Sequence, residues 1–107
     1  MSRDITEADW KIWKALRQRC IDQFCARTFD QIKQLSHGTD PIHDRHRELY
    51  QLVMDRDREI EQLFDPLTRS RAIMQLINLH RSGLVSDDDI SSFSEPLQSI
   101  CNQTKAL

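Results

Sequence analysis

Apolar residues return along this chain at helical spacing, and polar stops and starts cut the pattern into segments. Trp10, Trp13, Ile21, Phe24, Thr28, Ile32 and Leu35 fall within one broad stripe at about 100° per residue, which predicts a helix over 7–35. Ile12, Leu16 and Phe29 lie off its edges, so this helix is expected to be contacted from more than one side. Thr6 stands as N-cap before Glu7, Ala8 and Asp9, where acids suit the positive end of the helix dipole. Ile5 and Trp10 hold the staple positions around that cap, and Gly38 marks the stop.

A second helix is predicted over 41–64, with Asp40 as N-cap and Pro41 at the first helical position. Its apolar seam runs His46, Leu49, Val53, Arg56, Ile60, Leu63 and Leu67, at spacings of three and four. Asp65-Pro66 either kinks this helix or separates it from the next, and the pattern leaves both open.

From 66 to 82 the apolar positions Ala72, Ile73, Met74, Leu76 and Ile77 go nearly round the helix, the mark of a central, buried element. Gly83 can take the left-handed conformation that ends it, with Leu84 folding back on Leu79. Ser86 and Asp89 then have the spacing of a capping box, flanked by Val85 and Ile90. Short helices are expected over 87–94 and, after a cap at Ser94, over 96–104.

These segments predict an all-α helical bundle in one domain, with a long antiparallel helical hairpin and three shorter helices packed on it. The first two helices would span roughly 43 and 36 Å at 1.5 Å per residue. Three short helices can cover only part of that length. The remaining apolar stripe is expected to be buried against a second copy of the chain, giving a homo-oligomer.

Composition narrows the classes of function. Two glycines and three prolines in 107 residues are too few for the turns of an all-β fold. A net charge of -2 with 30% charged residues gives mixed signs, without the basic surplus that nucleic-acid binders often carry. No signal-peptide pattern and no apolar run of membrane-spanning length is present. Cys20, Cys25 and Cys101 are an odd number of thiols in neither a redox nor a zinc spacing, so reduced cysteines and a cytoplasmic location are expected.

Few residues carry chemistry. His43 and His46 share a helix face and are the weak candidates for a metal. The His43-Asp44 dipeptide resembles one in metal-dependent phosphohydrolases, but those need further ligands on other helices, and only His37 and His80 remain. No metal site and no cofactor is expected. The polar seam members suggest two pairings across the hairpin, Arg56 with Asp22 and His46 with Asp30. Alternatively, Arg56 reaches water along its stem.

The corner around Gly83 is similar to the helix-turn-helix of many bacterial regulators. Against DNA stand Asp87, Asp88 and Asp89, and a would-be reading helix with Lys105 as its one cation. A DNA-binding transcriptional regulator using this corner stays the alternative, and a metal-binding protein or enzyme centred on His43 and His46 the third; the first reading is a non-catalytic interaction or oligomerisation protein. Its interaction residues are expected among Trp10, Trp13, His46, Leu49, Val53, Arg56 and Ile60, and its partner is a second copy or another protein rather than nucleic acid or membrane. For the tryptophans the other reading is core, capping one end of the hairpin.

Overall fold

Thr6 does start the first helix: its Oγ1 accepts the amide of Asp9 at 3.2 Å in the computed structural model, which describes residues 5–105. Five α-helices follow in order: α1 Glu7–Ser36, α2 Ile42–Phe64, α3 Arg69–Arg81, α4 Asp87–Ile90 and α5 Glu95–Lys105. The fold is all-α, and no strand occurs among the described residues.

The long hairpin is antiparallel. Near the connecting loop Arg45 donates to the carbonyl of Ser36 at 2.8 Å. At the far end Arg17 donates to the carbonyl of Phe64 at 2.9 Å and pairs with Asp65 at 3.0 Å. Asp40 does not cap α2. The N-cap is Pro41, without a side-chain bond, and α2 begins one residue later, at Ile42. Arg45 explains the difference: its Nε takes the Asp40 carbonyl at 2.9 Å, so this loop is fastened from its arginine rather than from an aspartate. Gly38 lies beyond the C-cap of α1, His37, and keeps an ordinary backbone conformation.

At Asp65-Pro66 the chain separates two helices rather than kinking one, and the peptide bond there is cis. Proline cannot donate to a helix ladder, and α3 resumes only at Arg69. α3 buries Ala72, Leu76, Ile77 and Leu79 as its pattern requires, but Met74 is 60% exposed. The Gly83 corner is built as read. Gly83 has φ +85°, and the amides of Leu84 and Val85 return to the Leu79 carbonyl at 3.0 and 3.2 Å. Ser86 and Asp89 close a reciprocal capping box. α4 is a single turn ending at Ile90, shorter than the 87–94 expected.

A Cβ added at Gly83 meets nothing within 4 Å, so only the backbone resists substitution there. Gly83→Ala is expected to cost about 1 kcal/mol, a fall of roughly 4–8 °C in thermal midpoint. An unchanged midpoint by circular dichroism would contradict the left-handed corner.

Burial divides the molecule into a head and an arm. Every buried hydrophobic side chain among the described residues belongs to the head: Ile5, Trp10, Trp13, Leu16 and Cys20 at the start of the chain and in α1, Phe64, Phe93, and the side chains of α3, the Gly83 corner, α4 and α5. Beyond Cys20 no side chain of α1 is buried, and none of α2 before Phe64. Two helices alone cover each other along one line, so their remaining apolar positions stay half-open. The arm explains the dimensions of 55 × 24 × 23 Å and a radius of gyration of 17.0 Å. A compact chain of this size would have a radius of about 13 Å.

Candidate interaction face on the helical arm

The two sides of the arm differ in chemistry. Leu49, Leu52, Arg56, Ile60 and Leu63 of α2, with Arg45 at the tip, are half-buried along one helical stripe, and Arg45 and Arg56 on it reach Ser36 and Gln31 of α1. This seam differs from the sequence reading: Arg45 and Leu52 take the places given to His46 and Val53, which are exposed. A one-position rotation is enough, because residues three and four apart can each follow two adjacent stripes.

On one side of the seam lies a groove of about 420 Å³ of mixed lining, in which Gln31, Gln34, Asp40 and Glu48 stand beside Leu35 and Leu52. On the other lies a groove of about 460 Å³ lined by Ile32, Leu35, Ile42, His46 and Leu49, with Ser36 and Arg45. Helical spacing continues this second side through Phe29 of α1 and through Tyr50 and Val53 of α2. Phe29 is 64%, Tyr50 65% and Ile42 77% exposed, and Val53 47%. One face of the arm is therefore an open apolar strip, more than scattered surface residues would make.

The expected interaction residues divide between two places. His46, Leu49, Val53 and Ile60 lie along this face or its seam edge. Trp10 and Trp13 do not join them: they are buried in the head, so in this structure neither is presented to a partner. Lys14 and Arg69 cover the Trp10 ring at 5.6 and 5.3 Å from its centre. Arg56 does not meet Asp22. Its Nε donates to Gln31 Oε1 at 3.3 Å and its Nη1 pairs with Glu59 at 2.8 Å. His46 has no hydrogen bond to Asp30 among the described residues. Both pairings fail for one reason: the aspartates point away from the seam, as their position off the α1 stripe requires.

His43 and His46 are exposed near the start of α2. No cluster of three or more His, Cys, Asp or Glu placed to hold a metal ion occurs among the described residues. Cys20 and Cys101 are poorly placed for nucleophilic work. Burial pushes Cys101 up to about 11, and burial also raises Cys20 against the opposing pull of Arg19. At the Gly83 corner, Leu97 and Cys101 fix α5 into the core, and Lys105 is engaged by Asp87 at 3.2 Å. A duplex would meet Asp87 and Asp88 there, with that cation already occupied.

Two polar contacts in the head had no sequence signal. Asp9 is buried and accepts both the amide of Ser94 at 2.8 Å and its hydroxyl at 2.5 Å, tying the start of α1 to the start of α5. His80 is fully buried, and its Nε2 meets Asp87 Oδ1 at 2.7 Å. Asp89 meanwhile pairs with Arg19 of α1, so the capping box is anchored to the long helix. Burial works against the charge of Asp89, but Arg19 and Ser86 outweigh it and its carboxyl lies below the usual range.

The Asp87 carboxyl is also lowered, first by its bond to His80 and then by Lys105. A carboxyl depressed in the folded state adds stability above its unfolded value, near 4, and that stability is lost as pH falls through the folded value. Asp87→Asn is expected to lower the thermal midpoint at pH 7 and to flatten its decline below pH 4. A decline as steep as in the parent would contradict this role.

No helix is long and apolar enough to cross a membrane among the described residues. Comparison with known proteins finds no matching family model, no matching curated protein and no matching solved structure.

Proposed function

We propose that this chain is a non-catalytic association module whose working surface is the apolar face of the arm. The open strip through Phe29, Ile42, Tyr50 and Val53 carries the reading. Leaving such side chains in water forgoes roughly 25 cal/mol for every Å² that a partner could cover. Aromatic side chains at the middle of a surface are also the usual anchors of protein contacts. The head supplies a core and holds the roots of α1 and α2, and the arm presents the face.

A photo-crosslinking residue in place of Tyr50, in cells expressing the chain, tests the reading whatever the partner. A discrete adduct from position 50, absent when the same group replaces Gln34 on the other side of the seam, is expected. Equal or no adducts from the two positions would overturn it.

A further inference from the structure

We propose that the occupant of the arm's apolar face is a second copy of this chain, laid on it antiparallel so that the tip of each arm meets the root of the other. The inference rests on the association reading above and adds the partner and its register. Lys33 and Arg47 lie near the tip, both exposed, and helical spacing puts them along the rim of the apolar strip. Asp22, Asp57 and Glu61 lie along the same rim near the root, also exposed. Among the described residues, none of the tip cations and neither Asp57 nor Glu61 is in an ion pair. Of the cations at that end, Arg58 is turned back toward Asp55 at 4.0 Å, Arg56 pairs with Glu59 and Arg17 with Asp65.

One end of the strip is thus rimmed by cations and the other by acids. A parallel pairing would set like charges together, whereas an antiparallel two-fold sets each cationic tip on an acidic root. A two-fold contact uses the same patch on both copies, and this patch is self-complementary only in that direction. Phe29, Tyr50 and Val53 lie midway between the two charged ends, so the aromatic and β-branched side chains fall around the axis, where anchors are most effective.

Size is sufficient. An arm of about 24 Å by two helix diameters, about 20 Å, offers roughly 500 Å². Two copies then remove roughly 1,000 Å² from water, the lower limit for a specific interface. The product is a four-helix bundle made from two hairpins, with the heads at opposite ends.

Charge reversal tests the register. Asp57→Lys with Glu61→Lys in one variant, and Lys33→Glu with Arg47→Glu in another, alter only exposed side chains. Each variant alone is expected to self-associate at least tenfold more weakly than the parent. An equimolar mixture is expected to regain the mass of two chains, one of each kind. Two variants that still self-associate like the parent, or a mixture that stays at single-chain mass, would overturn the antiparallel register. A parent chain that stays at 12.7 kDa up to high concentration would overturn self-pairing altogether. In that case the crosslink from position 50 still decides, separately, whether the face is used by another protein.

Discussion

Trp13→Ala is expected to lower the stability of the chain by about 3–5 kcal/mol, and its thermal midpoint by roughly 15–30 °C. Trp13 is fully buried at the centre of the head, among the residues that α1, α3 and α5 bring together. Removing the indole deletes a large apolar surface and leaves a cavity that the helices can close only in part. Marginal domains hold only about 5–15 kcal/mol in total, so one such change takes a large share. Phe29→Ala is the control. Phe29 is as aromatic as Trp13 but stands 64% exposed on the arm, and its loss is expected to move the midpoint of the dilute chain by less than about 0.5 kcal/mol equivalent. Urea titration followed by circular dichroism separates the two. Similar losses at both positions would contradict a core confined to the head.

The second large effect is at Asp9. Asp9→Ala is expected to cost about 1–3 kcal/mol, because it leaves the amide and hydroxyl of the half-buried Ser94 without their acceptor. Asp9→Asn keeps one oxygen, and the Ser94 hydroxyl can turn to accept from the new amide, so about half of that loss is expected. Equal losses for the two substitutions would mean that the pairing with Ser94 contributes little. No change in either would remove the link between the first turns of α1 and α5 as a determinant of stability.

Asp9 also shows where sequence reasoning stops. Acids in the first turn of a helix are explained by the dipole alone, so nothing marked this one as buried. Its partner lies 85 residues away, and local periodicity carries no information at that range. The same holds for Arg17, which reaches across 47 residues to the carbonyl that ends α2. By contrast the turn at Gly83 and the start of α4 are legible in the sequence. The left-handed glycine, the return to Leu79 and the capping box are all local, and each needs particular residue types at fixed offsets.

The arm was legible in outline and misread in rotation. Two long amphipathic stripes joined by a short loop predict a hairpin, and the hairpin is present. The stripe on α2 is wider than one contact line, however, and the pattern alone does not say which edge faces α1. Arg45 and Leu52 take the seam, and His46 and Val53 turn outward. That rotation is what leaves the apolar strip open. For the tryptophans the core reading is the one the structure bears out. Their three-residue spacing fits either a partner anchor or a core, and only the packing of α3 and α5 over α1 places them in the core.

The proposal that a second copy covers the arm is tested most directly by mass in solution, measured by light scattering after size exclusion over a concentration series. The account predicts twice 12.7 kDa at micromolar concentration and above, falling to a single chain for Val53→Glu, whose added charge would sit on the two-fold axis. A parent chain that stays at 12.7 kDa to several hundred micromolar, or a Val53→Glu chain as dimeric as the parent, would contradict it.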